Sequence, residues 1–180
     1  MDIIDLSRFI GNFDTSKIMA FIHSLPDTAW DEFTDRQTNF ESHASTKTLA
    51  AIFPDRKNYP TIDLTTFTHT EELSKLCANI CQTFCAFYGK SFQVTTAIVV
   101  VMPPKTEIGL HSDTHPYFGV THRAHWCLEA EYENMDFYIS GSKIPMKQGD
   151  FVEINNRMPH SVIYNGETPR YNLIIDFMET

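Results

Sequence analysis

The spacing of apolar positions changes character part-way along the chain. Ile18, Phe21, Ile22 and Leu25 recur at intervals of three and four, which predicts a short helix with Asp14 placed to cap its start and Pro26 to end it. A second, longer helix is predicted from Thr70, with Glu71 and Glu72 in its first turn. Its apolar stripe is Leu73, Leu76, Cys77, Ile80, Cys81, Phe84, Phe87 and Tyr88, and Gly89 suits the stop. Between the helices, residues 40–53 mix Thr, Ser and apolar side chains and read as extended, and Pro54, Asp55, Asn58 and Pro60 mark a loop.

From Phe92 onward no helical period survives. Runs rich in Val, Ile, Thr, Phe and Tyr at 92–102, 108–111, 120–130, 135–140, 151–154, 161–164 and 171–177 read as strands. Turns are marked by Pro103-Pro104, Ser140-Gly141-Ser142, Gln148-Gly149-Asp150 and Asn165-Gly166. The expectation is a mainly β protein, a sandwich or barrel, with flanking helices packed outside it. No internal repeat, low-complexity tract or linker interrupts the chain. One domain over residues 1–180 follows, with 1–91 as flanking helices and outer strands and 92–180 as the core.

Composition narrows the classes. With 180 residues, 42% of them hydrophobic and 13% aromatic, the chain is long enough for one packed core and unlike a disordered one. A formal net charge of −9 disfavours a nucleic-acid or anionic-membrane partner, since neither is attracted by an acidic surface. The start Met-Asp-Ile-Ile-Asp lacks the basic and apolar segments of a secretory signal, and no window reaches the length of a membrane span, so a cytoplasmic protein is expected. Cys77, Cys81 and Cys85 fall on the helix's own apolar stripe and Cys127 stands apart. That spacing favours reduced, buried thiols over disulfides or an iron–sulfur site.

The eight histidines are the unusual entry in the composition, and four of them lie at 111, 115, 122 and 125. His111-Ser112-Asp113 puts an imidazole and a carboxylate on one side of an extended segment. Joined by a distant third ligand, His160, this pair makes a facial triad that leaves positions open on a metal and suits non-haem Fe(II). His-x-Asp alone is weak, since chance supplies about half an occurrence in a chain of this composition. His160 at the head of a β run, with Arg170 ten residues on, strengthens it.

The combined pattern of His111-x-Asp113, His160 and Arg170 resembles the Fe(II)/2-oxoglutarate-dependent oxygenases. Within them it is most similar to the aspartyl/asparaginyl β-hydroxylase family, which also contains free L-proline hydroxylases. Arg123-Ala124-His125 matches that family's Arg-x-His, and the segments 149–162 and 170–177 read like its C-terminal strands. Trp30, Arg36-Gln37, His43 and Thr46 carry a fainter echo. The resemblance implies a double-stranded β-helix, or jelly-roll, cupin-like core that holds Fe(II) on His111, Asp113 and His160. It further implies 2-oxoglutarate as cosubstrate, with its far carboxylate on Arg170 and its metal-proximal carboxylate near Arg123 and His125, and dioxygen as oxidant. The implied reaction is hydroxylation of an amino acid, or of an amino-acid side chain in a peptide or protein, with succinate and CO2 as coproducts.

Departures from the family pattern are informative. Vertebrate-type aspartyl hydroxylases have Gly where this chain has Asp113, so it resembles the full-triad branch. A serine that helps those enzymes hold the cosubstrate falls at Val100, leaving another hydroxyl, such as Thr96, for that role. Nucleic-acid demethylases carry a second Arg where this chain has Asp176. Rival readings are a cupin-like metal-binding module without 2-oxoglutarate turnover, which has no need of Arg170, and a structural β-protein with incidental histidines. On the second, His111 and Asp113 form a solvated loop pair, His160 is a turn residue and Arg170 is a cross-strand partner of Glu153 or Glu167. His115 and His122 are expected at the surface or on the substrate side, and Arg36 and His43 at the pocket mouth if an early strand flanks it. A hairpin is expected to join His160 to Arg170, and strand alternation then requires a loop of three or five residues, not a two-residue Asn165-Gly166 turn.

Overall fold

In the structure, a computed structural model describing residues 5–180, strand β1 (Ser7–Asn12) is followed by helices α1 (Ser16–Ser24) and α2 (Asp35–Asn39). Then come β2 (Lys47–Asp55), β3 (Asp63–Thr66) and the long helix α3 (Thr70–Tyr88). The core strands are β4 (Phe92–Met102), β5 (Thr106–His111), β6 (Thr121–Glu129), β7 (Met135–Ile139), β8 (Ser142–Lys143), β9 (Asp150–Ile154), β10 (His160–Tyr164) and β11 (Arg170–Glu179). They form two antiparallel sheets, a larger one ordered β1-β9-β6-β11-β4-β2-β3 and a smaller one ordered β5-β10-β7-β8. From β4 onward the chain passes back and forth between the sheets, which is the winding of a double-stranded β-helix. The mainly β jelly-roll expectation is borne out.

Strand alternation gives the larger sheet two different faces. Leu173, Ile175 and Phe177 of β11, with Ala97 and Val99 of β4 and Ala124 and Trp126 of β6, point away from the smaller sheet. They pack under Ile18, Met19 and Ile22 of α1 and under Leu73, Cys77, Ile80 and Phe84 of α3. The apolar stripe of each helix is thus the lid of an outer core. Phe84 lies at its centre, stacked on Phe177 with ring centroids 4.0 Å apart. The inner faces meet in a second core, where Met102, Cys127, Val152 and Ile154 face Ile108, Phe137, Ile139, Val162 and Tyr164. That apolar plug closes one end of the sandwich, and the polar residues described below occupy the rest.

Two local devices fix the scaffold. Gly89 ends α3 in the left-handed region at φ 63°, with its N–H bonded back to the helix. Gly149 adopts φ +85° where a Cβ would lie 2.5 Å from the Phe13 carbonyl oxygen, so the turn that carries the chain from the smaller sheet to β9 requires glycine. No described helix is long and apolar enough to cross a membrane, and all four cysteines are free thiols.

Several expectations need correction. The stretch read as extended from residue 40 begins with a helical turn at Glu41–His43, and the strand starts only at Lys47. Asp14 accepts from the Ser16 N–H (3.0 Å) and hydroxyl (2.8 Å), but the capping position itself is Thr15. His160 and Arg170 are not joined by a hairpin: β10 lies in the smaller sheet and β11 in the larger. The five residues 165–169 between them cross a corner of the sandwich. The loop length is odd as expected, yet the parity argument does not apply, because two strands in opposed sheets face each other whatever the count between them.

Candidate active site

His111 and His160 are direct cross-strand partners on β5 and β10, with ring centroids 4.3 Å apart. Each ring is oriented by its own backbone: Nδ1–H of His111 donates to the Gly109 carbonyl (2.8 Å), and Nδ1–H of His160 to that of Met158 (2.9 Å). With Nδ1 carrying the proton, the Nε2 lone pair of each imidazole is left for a ligand. Burial, followed by the neighbouring His111, pushes His160 below the ordinary imidazole range and keeps it neutral at pH 7.

Asp113 follows the end of β5, where its N–H donates to the Asn156 carbonyl (3.0 Å). Its Oδ2 accepts from Arg123 Nη1 (2.5 Å) and Asn156 Nδ2 (2.7 Å). Burial would raise this carboxyl, but Arg123 and Asn156, helped by the two imidazoles, outweigh it and hold Asp113 below its usual value. As the side chains stand, no three His, Cys, Asp or Glu among the described residues are arranged to hold an ion.

Arg123 and His125 share one face of β6, pointing into the sandwich as the two-residue spacing requires. Arg123 forks onto Asp176 and bonds Asp113 with its remaining Nη, so three of its nitrogens are engaged by carboxylates. Burial disfavours its charge, yet Asp176 and Asp113 more than offset this and raise its pKa. His125 is held neutral by burial and then by Arg170 and Arg123. Its Nδ1 lies 3.3 Å from the Asn172 amide.

Arg170 is the deepest cation. Only 2% of its surface is exposed, its Nε has no hydrogen-bond partner, and its Nη1 rests 3.3 Å from the Met102 sulfur. The cross-strand alternatives fail, since Glu153 bonds Tyr88 and His122, and Glu167 pairs with Lys105. Arg170, His111, His160, Asp113, His125 and Asn172 line one narrow chamber of about 40 Å³. It adjoins an outer chamber of about 450 Å³, and Arg36, His43, His111, Asp113 and Arg123 line both.

Other expected positions move. His122 is buried under α3, where its Nδ1 lies 2.6 Å from Glu153; it points away from the chamber because it alternates with Arg123. His115 stands at the outer mouth, its Nδ1 accepting from the Tyr117 N–H (3.1 Å). His43 reaches the chamber from a helical turn, not a strand. Its ring lies edge-on to His111 (5.3 Å), its Nε2 accepts from Arg36 (3.2 Å), and burial with Arg36 and His111 pushes it down to about 3. Thr96 does not meet Arg170: its hydroxyl lies 3.1 Å from the Tyr117 oxygen, and on β4 it pairs with Asp176, six residues from Met102, the partner of Arg170.

Asn156, Asp176, Tyr117 and Arg56 were not legible as site residues. For Asp176 a signal existed: a carboxylate inside the apolar run 171–177 must be exposed or matched by a buried cation. The same strand face carries Arg170, Asn172 and Ile174.

The donor set fits a non-haem metal and a 2-oxoacid. Two imidazoles present Nε2, a carboxylate stands beside them, and an unpaired buried guanidinium waits at the end of the chamber. By overall structure the chain is similar to a 2OG-Fe(II) oxygenase family oxidoreductase from Burkholderia pseudomallei (14% identity, 93% of this chain and 91% of that one, TM-score 0.60). It is also similar to the non-haem monooxygenase ThoJ in its nickel complex (12%, 97% and 74%, 0.59). AviO1 from Streptomyces viridochromogenes is a further likeness (16%, 97% and 90%, 0.56). These likenesses concern the fold. No curated protein matches by sequence. The sequence profile described as Aspartyl/Asparaginyl beta-hydroxylase matches residues 24–180, and the chain belongs to that family of oxygenases.

Proposed function

We propose that the protein is an Fe(II)- and 2-oxoglutarate-dependent dioxygenase that hydroxylates an amino acid, or an amino-acid side chain of a peptide or protein, releasing succinate and CO2. His111, Asp113 and His160 would hold the iron. The metal and cosubstrate supply oxidising power for an unactivated C–H bond. Arg170 carries the reading. A guanidinium buried at 2% exposure without a carboxylate costs folding energy unless a ligand supplies the missing partner. It lines the chamber that also holds both imidazoles. A cupin-like binding module needs no such cation.

The remaining residues orient and shield. Asn156 and Arg123 steady Asp113, the Gly109 and Met158 carbonyls fix the imidazole tautomers, and Asp176 keeps Arg123 in register. Phe137, Val162 and Ile174 give the inner chamber apolar walls that exclude water.

Anaerobic loading with Fe(II) and 2-oxoglutarate, followed by air and measurement of succinate across a panel of amino acids and peptides, tests the reading. Succinate from the wild type, suppressed in Asp113→Ala and Arg170→Ala, is expected. No succinate and no metal-dependent binding of 2-oxoglutarate would sink it.

A further inference from the structure

The outer chamber has its own charge problem. Arg36 reaches it from α2 and Arg56 from the turn after β2, and both line the same chamber. Arg36 Nη2 donates to His43, but its Nη1 is buried without a partner. Arg56 lies over three rings, 5.0 Å from Phe53, 4.7 Å from Tyr117 and 4.6 Å from Phe118, and its Nε is likewise buried without a partner. Aromatic faces hold a guanidinium in place, yet they accept no N–H bond in its plane.

The carboxylates nearest Arg123 are already committed. Asp113 and Asp176 both bond Arg123, and Asp176 lies behind it, closed off from solvent. Three guanidiniums therefore line the outer chamber with one carboxylate, Asp113, and with Asp176 behind it, while Asp35 and Asp55 lie on an adjoining cavity that Arg36 and Arg56 also line. Burial, and then the Arg123 charge, lowers both Arg36, to about 10, and Arg56, consistent with cations short of an anionic partner. Phe53, Phe118 and Phe40 line the same space and supply apolar area beside the two cations.

Resting on the oxygenase reading, we infer that Arg36 and Arg56 form a substrate carboxylate subsite, and that the substrate joins one carboxylate to an apolar body lying on Phe53 and Phe118. The carboxylate would accept from the two unpartnered N–H groups. Bound there, the substrate would have His111 and Asp113, which line the same chamber, beside its apolar body. Arg170 is not part of this subsite, because it lines only the inner chamber.

Binding of 3-phenylpropanoate and its neutral amide to the protein carrying Ni(II) and 2-oxoglutarate, followed by ligand-observed NMR titration, tests the assignment. The carboxylate is expected to bind at least tenfold more tightly than the amide. Arg56→Met and Arg36→Met should each weaken the carboxylate at least tenfold and leave the amide unchanged, with Arg56→Lys intermediate. In each variant 2-oxoglutarate should still raise the melting temperature, which separates loss of the subsite from loss of the fold. Equal binding of acid and amide, failure of both to bind, or indifference to both arginines would overturn the inference. If acid binding depends on the arginines while Fe(II) and 2-oxoglutarate yield no succinate, the subsite stands and the oxygenase reading falls. If succinate forms with acid and amide alike, only the subsite falls.

Discussion

Arg123 and Asp176 meet in a two-point fork, Nε to Oδ1 at 2.7 Å and Nη2 to Oδ2 at 2.8 Å, with Asp176 wholly buried. The two residues are cross-strand partners on β6 and β11, so the sheet register itself brings the charges together. The Tyr117 hydroxyl lies 3.2 Å from the same carboxylate and donates to it. Arg123 then extends to Asp113, which makes Asp176 the anchor of a chain of charges ending at the proposed metal carboxylate.

Removing one partner of such a pair leaves a buried charge without compensation, which costs about 3–5 kcal/mol. Asp176→Asn should therefore lose stability on that scale in urea unfolding. Arg123→Met should do the same from the other side. The double variant Asp176→Leu with Arg123→Met should recover much of the loss in a double-mutant cycle. A loss below about 1 kcal/mol in Asp176→Asn would show that the pair is solvated in solution.

Arg170 gives the opposite sign. Among the described residues no carboxylate meets it, so Arg170→Met removes a buried cation next to the Met102 sulfur and keeps much of the volume. The metal-free variant should unfold at the same temperature as the wild type or a few degrees higher, and the rise in melting temperature with added 2-oxoglutarate should vanish. A variant that is markedly less stable, or one that still responds to 2-oxoglutarate, would refute the role given to this residue.

The sequence was most readable where a single layer decides the pattern. β4 matches the residues 92–102 read from sequence, because a β-branched run buried on both faces is bounded by Gly89 before it and Pro103-Pro104 after it. Helix α3 was equally clear from its stripe and its terminal glycine. Of the residues named for the site, His111, Asp113, His160, Arg170, Arg123 and His125 do line one chamber. What alternation cannot report is the layer on the far side. His122 faces Glu153 and Tyr88 under α3, a burial that depends on helix packing. Nor does sequence distinguish a hairpin from a corner between sheets, and the link from His160 to Arg170 is such a corner. Arg56 lies on a turn with no periodicity at all, and only the three rings gathered beneath it from β2 and the segment before β6 give it a place.

Glu153 is the centre of a second buried polar group on the helix side of the larger sheet. It takes His122 Nδ1 at 2.6 Å and the Tyr88 hydroxyl, whose oxygen in turn accepts from Arg8 Nη1 at 2.7 Å. Burial, reinforced by the adjacent Glu153, raises the Tyr88 phenol and keeps it a donor. Glu153→Ala strands the buried His122 donor and the half-buried Tyr88 hydroxyl and should cost about 1–3 kcal/mol in chemical denaturation. Because Glu153 and the chamber lie on opposite faces of β9, the response of the melting temperature to 2-oxoglutarate should be retained. Loss of that response in a folded Glu153→Ala protein would show that the two faces are coupled.

The histidines set the acid limb of stability. In the fold, His43 is pushed from its usual 6.5 down to about 3, first by burial and then by Arg36, and His125 is held well below 6.5 by burial, then Arg170. Both return to ordinary values on unfolding, so below about pH 6.5 the unfolded chain takes up protons that the fold refuses. Stability then rises with pH, because the unfolded state binds more protons. The contribution is complete above pH 6.5 and is lost as pH falls towards the folded value, near 3 for His43. Asp113, lowered from 3.8, adds a loss of the same sign only at the acid end of this range. Urea unfolding of the metal-free protein at pH 8, 7.5, 5 and 4 should therefore show little change between the first two points. Below them the unfolding free energy should fall with a slope of about 1.4 kcal/mol per pH unit for each histidine involved. His43→Gln should reduce that slope by one such increment. A free energy that stays level from pH 7.5 to 4 would mean that these rings are protonated inside the fold, and with them the neutral lining of the chamber would have to be abandoned.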